Sequence, residues 1–226
     1  PRTADFYLRD MAWYQMDPNL AGIDNIKQAM QRHGALAASM CWDKRFYDGH
    51  AHTHYQPMDD PQDPNHALLL LGWDDQRLTQ APWPGAWLCR HSGVPSRGDE
   101  GHFWISYYDK HCARHPDLGA VSFQGVEPLI YERIYGHDYH GWRDTKTDCQ
   151  TAFNAYHAEA NEILAAVSFV TATDEVDYVV KIFDGFENGQ LRHELSSQAG
   201  HIKHRGFHTI NLALPVEVDA GEDFYV

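Results

Sequence analysis

The chain has 226 residues, of which 43% are hydrophobic and 13% aromatic, so it can bury the core of one large domain or two small ones. Its 17 glycines and 11 prolines are too few for a disordered or collagen-like chain. With 32 acidic against 18 basic residues the net charge is -14, which repels phosphate backbones and argues against nucleic-acid partners and anionic membranes. The 16 histidines are the oddity of the composition and raise the question of a metal. Four cysteines, Cys41, Cys89, Cys112 and Cys149, form no CxxC pair, which argues against a zinc ribbon or a thioredoxin-type site. One or two disulfides are open, with no pairing readable. The longest apolar run, Ala67 to Leu71, is too short to span a bilayer. The polar opening, Pro1 to Asp5, is no signal peptide, so a mature or trimmed start is expected.

In chain order, Ile23, Ile26, Ala29 and Met30 recur at helical spacing before Gly34, which predicts one amphipathic helix over residues 23–33. Ala35 to Met40 reads as a buried strand. Gly49 to Pro64, rich in Pro, Asp and His, reads as a surface loop. His66 to Trp73 is a second buried strand, followed by strands at Gly85–Cys89 and Phe103–Tyr108 that the polar segment Ser92 to Gly101 joins. A short strand is expected near Ala120 to Phe123. Glu127 to Gln150, rich in Tyr, His and Asp, reads as a linker that packs against something, and Tyr131 to Trp142 could also stack a sugar. Beyond it, Ile163–Ala172, Tyr178–Phe183, Phe207–Leu212 and Glu222–Val226 are short strands divided by turns such as Glu187-Asn188-Gly189, the pattern of a β-sandwich. The fold class expected is α+β and mainly β, in two domains, 1–125 and 126–226.

The chemistry lies in Asn65-His66-Ala67-Leu68-Leu69-Leu70-Leu71-Gly72-Trp73-Asp74-Asp75, with Arg90-His91-Ser92-Gly93-Val94 downstream. A histidine at the head of a buried strand is fixed at the strand's rim, and a hairpin partner can hold its other ring nitrogen. A Cys–His peptidase needs that geometry. These residues, with the Ile23–Asp43 helix and strand, resemble the C-terminal half of papain-like cysteine peptidases of the bacterial and archaeal branch. Ile163–Phe169, Val179–Phe183 and Gly206–Leu212 resemble that branch's lectin-like domain.

The resemblance implies a His-bearing, β-barrel-like lobe followed by a lectin-like β-sandwich. It puts His66 at the general-base position and His91 where the family has the orienting Asn. It also implies that Ser39, Asn65 and Ala67 line the substrate cleft. The family's nucleophilic Cys and its preceding Gln belong upstream of residue 1, since Cys41 follows the helix rather than opening one. The tryptophan that shields the family's orienting bond becomes Gly93, and the chain is expected to end inside its last strand. Two neighbouring imidazoles disfavour double protonation. An extracytoplasmic, secreted or surface protein is implied, partnered by the missing N-terminal lobe or another subunit, and inactive unaided. The competing reading is a non-catalytic binding or assembly protein with a protein or glycan ligand.

Plainer roles compete at each position. His66 could be a strand-edge residue on a backbone carbonyl, and His91 an exposed loop residue, the reading favoured over catalysis. His50, His52 and His54 share one face if their segment is extended, which suits Zn²⁺ or Cu²⁺; as a solvated His-rich loop they need no metal.

Overall fold

The computed structural model describes residues 4–91, 99–138, 140–141 and 143–226. The chain divides into two units: Met11–Gln124, and a second made of the residues up to Asp10 together with Gly125–Val226. Strands β1 (Phe6–Tyr14) and β8 (Ala120–Pro128) each contribute residues to both.

In the first unit the α-helix α1 spans Ile23–His33 and buries Ile26, Ala29 and Met30, the face its 3.6-residue spacing dictates. Its N-terminus needs glycine. Gly22 sits at φ 91, and a Cβ there would come within 2.3 Å of the Gln15 carbonyl oxygen. Strands β2 (Leu36–Met40), β3 (Tyr47–Asp48), β4 (Thr53–His54), β5 (His66–Asp74), β6 (Ala86–His91) and β7 (His102–Ser106) follow, with a 3₁₀ turn at Lys44–Phe46. Their sheet order is β1-β8-β2-β5-β6-β7-β4-β3. In β5, Leu68 and Leu70 enter the core while Ala67, Leu69 and Leu71 face outward, the two-residue alternation of a strand. The core gathers Leu36, Met40, Leu70, Trp87, Phe103 and Ile105 against the buried face of α1.

One expectation needs correcting in this unit, and two strands went unread in whole or in part. The stretch 49–64 is not a surface loop throughout. Thr53 and His54 pair in parallel with Trp104 and Ile105, and Thr53, His54 and Gln56 are buried. Polar composition concealed this, because their partners lie far along the chain. Strand β1 had no counterpart in the sequence reading, and neither did a β8 that runs on to Pro128.

The second unit adds β9 (Ala155–His157), β10 (Glu162–Thr171), β11 (Val176–Glu187), β12 (Gln190–Ile202), β13 (Gly206–Val218) and β14 (Asp223–Tyr225). β10 pairs antiparallel with β13, while a four-stranded sheet runs β12-β11-β14-β9. Val180, Ile182, Leu212, Val216 and Phe224 form the core between these strands. Strand β12 was also missed. Its face shows no apolar alternation, and it is held by the register of the β11–β12 hairpin, turned at Asn188 (φ 51) and Gly189 (φ 76). The 127–150 segment packs on this sandwich: Tyr135 lies edge-on to Phe224 and donates to Glu162, while Arg133 pairs with Glu159 and Glu162. Tyr135 is thereby committed to the core rather than to a stacking platform; Tyr139 and Trp142 lie outside the described residues.

Candidate functional site

The site lies in the first unit, where β5 begins and β6 ends. The antiparallel register sets Leu68 opposite His91, so the ring of His91 meets that of His66 across the strand pair. His66 Nε2 and His91 Nδ1 are 3.1 Å apart, and one of the two nitrogens carries the shared proton. His66 is half-buried, and its neighbours Asn65 and Ala67 are exposed. The imidazole therefore stands at a strand rim next to open surface.

His91 is not the exposed loop residue favoured from sequence. It closes strand β6 at 6% exposure, because Phe103 of β7 stacks on it at 4.2 Å and 16°. Trp42 meets the same ring edge-on at 4.6 Å and 82°. Gly93, expected to leave the bond unshielded, lies outside the described residues.

Ser39 is opposite Ala67 in the β2–β5 register, which brings both beside His66. The Ser39 hydroxyl is buried and has no hydrogen-bond partner among the described residues. The amide of Asn65 is engaged elsewhere: its Oδ1 accepts from Trp42 N at 2.7 Å, and its Nδ2 donates to Trp42 O at 3.3 Å. Cys41 is fully buried beside this clamp and donates to Gln62 Oε1. Burial, then the Asp60, Asp43 and Asp109 carboxylates, push its thiol above the ordinary range, the opposite of what a nucleophilic thiolate requires. All four cysteines are free thiols, which closes the question of disulfides that the sequence left open.

The metal expectation for His50, His52 and His54 does not hold. His52 sits at φ 52, which breaks the extended backbone on which the shared face depended. His50 is exposed, His52 bonds to Tyr47 Oη at 3.0 Å, and His54 is buried against Asp109. Among the described residues no group of three or more His, Cys, Asp or Glu could hold a metal ion.

Sequence reasoning missed the centre of this region, Asp109. It is fully buried and accepts from His54 Nδ1 at 3.1 Å and from the backbone N–H groups of Gln56, His111 and Cys112. Burial alone would push this carboxyl up; His54 and the backbone donors outweigh it and hold it below the usual carboxylate range. The only signal was Asp-x-x-Cys in a short turn, which is too common to read.

The second unit has a groove beside β12 and β13, lined by residues 194–198, Ala213 and Leu214. Its main polar groups are spent on the protein: Gln198 bonds the backbone of Asn211 and Ala213, and Glu194 pairs with Lys181. No helix among the described residues is long and apolar enough to cross a membrane.

Residues 134–226 match the family model of the lectin-like domain. Among solved structures, the chain is similar to a clostridial cysteine protease, Cwp84, determined after propeptide cleavage, with TM-score 0.80 and 20% identity over 99% of this chain and 55% of that one. It is similar also to the cysteine protease and lectin-like domains of Cwp84, a surface-layer-associated protein of Clostridium difficile. Here the TM-score is 0.74 and the identity 18%, over 99% of this chain and 49% of that one. The chain thus spans about half the length of these structures. No curated protein matches it. At this identity the likeness establishes the fold alone: mainly β, like the cysteine protease and lectin-like domains of those structures.

Proposed function

We propose that the chain is the His-bearing half of a papain-like cysteine peptidase homologue that needs a second lobe to supply the nucleophile. The observation that carries this reading is the His66–His91 pair, 3.1 Å apart at the rim where β5 and β6 meet. In such a site His66 takes the thiol proton as general base while its partner fixes the tautomer of the ring. His91 Nδ1 can serve by accepting from His66 Nε2, so that Nδ1 is the ring nitrogen of His66 that would take the thiol proton. Ser39 and Ala67 would line the cleft beside it. Cys41, Cys89 and Cys112 do not suit the role, since all three are buried.

The missing partner is an N-terminal lobe or another subunit. Leu69 and Leu71 leave apolar surface open on the outward face of β5, at 41% and 38% exposure, which suits a docked neighbour. An extracytoplasmic, cell-surface location fits the likeness to a surface-layer-associated protein, and the lectin-like unit would then contact protein or glycan.

A single feature favours the alternative, a non-catalytic binding or assembly module. The orienting partner of His66 is an imidazole, whose ring nitrogens can exchange donor and acceptor roles where an amide has a fixed acceptor. Peptide hydrolysis separates the two readings. The chain joined to its N-terminal lobe is expected to cleave peptide substrates, with kcat/KM falling by about 10²-fold or more in His66→Ala. Hydrolysis that is absent, or indifferent to His66→Ala, leaves the binding module.

A further inference from the structure

The His66–His91 pair is flanked by Trp42, which follows β2, and by Phe103 of β7, on opposite sides in the sheet order. We propose that Trp42 is the positioning residue of the imidazole pair, fixing the ring of His91 and covering its bond to His66, and that Asn65 acts through Trp42.

The argument runs outward from His91. One face of its ring lies on Phe103, at 4.2 Å and 16°, and the edge-on indole of Trp42 stands at 4.6 Å. Rotation of the imidazole about its ring axis would drive it into one or the other, so Nδ1 stays aimed at His66 Nε2. The same indole reaches His66, with ring centroids 6.5 Å apart. An aromatic body over a hydrogen bond excludes water and lowers the local dielectric, which strengthens that bond.

Trp42 belongs to neither β2 nor the 3₁₀ turn that follows, so it needs fixing of its own. Asn65 supplies it from the residue before β5, gripping the Trp42 backbone at both N–H and C=O. Beneath the indole lies His54, nearly parallel at 19° and 6.0 Å, itself tied to Asp109. Tyr47 closes another side at 5.1 Å. The segment just before β5 is thus linked to the catalytic geometry through the indole rather than by touching substrate. The catalytic meaning of this arrangement rests on the reading of His66 as general base; its physical content does not.

The test is imidazole ¹⁵N–¹H spectroscopy on the chain as it is. The wild type should show a slowly exchanging ring proton shared by His66 and His91, absent in His91→Ala. Trp42→Ala should speed its exchange with solvent about tenfold or more, and Trp42→Phe should restore most of the protection. Asn65→Ala should fall between. The ring proton of His111, which Nε2 donates to Gln62 O at 2.9 Å, is the control and should not change. Wild-type protection in Trp42→Ala, or equal acceleration at His111, overturns the proposal. Should Trp42→Ala not fold, Asn65→Ala decides by the same comparison. None of these readouts involves a nucleophile, so failure of the peptidase reading would show separately, in hydrolysis that ignores His66.

Discussion

Both units are rich in histidine and use it in opposite ways. In the first, His54, His91 and His111 are buried, each in a specific hydrogen bond. In the second, His157, His193 and His201 stand on the surface paired to Asp223, Asp184 and the couple Asp177 and Glu175. A buried polar group must find its partner or lose its hydration without return, so it specifies an arrangement; an exposed pair exchanges one solvated state for another and specifies little. The candidate chemistry therefore sits in the unit whose histidines are costly to misplace. His208 of the second unit departs from this contrast, buried between Thr171 and Asp10, and so do the exposed His33 and His50 of the first.

The sharpest way to break that contrast is Asp109→Asn. It should cost about 3–5 kcal/mol of first-unit stability in urea unfolding, because it strips His54 and three backbone donors of their charged acceptor. Acid acts on the same group. Its carboxyl is depressed in the fold, so its stabilisation is complete above the unfolded value near ~4 and is lost as pH falls through the folded one. A variant as stable as the wild type would remove Asp109 as the organiser of the first unit. Next comes the small core of the sandwich: Ile182→Val should cost about 1 kcal/mol in the second unit and leave the first unit's transition unmoved. The weakest effect is expected at His201, whose ring is raised above the ordinary value by hydrogen bonds to Asp177 and then Glu175. Asp177→Asn should lower its NMR titration midpoint without a measurable change in unfolding. The pairing is complete below the unfolded value near ~6.5 and fades as pH rises through the folded one, and solvent screens what it adds.

Legibility in the sequence followed the range of the interaction. Helix α1 and strands β5, β6 and β7 show in local periodicity, because each has one apolar face. β12 does not, since its place depends on a hairpin whose Asn188-Gly189 turn was visible while its strand was not. His66 and His91 were found through a motif, but their mutual contact follows from the β5–β6 register. Trp42 and Asp109 are placed by partners distant in sequence; the one is fixed by Asn65 and the other by His54, 23 and 55 residues away. The triplet His50, His52 and His54 misled for the converse reason: regular spacing means a shared face only where the backbone stays extended.

The most direct test of the two-lobe account is the site of labelling by a thiol-reactive peptidyl epoxide on the chain combined with the second lobe that the proposal requires. The account predicts label on a cysteine outside residues 1–226, lost in His66→Ala. Label on Cys41, or the same labelling with and without the His66 imidazole, would contradict it.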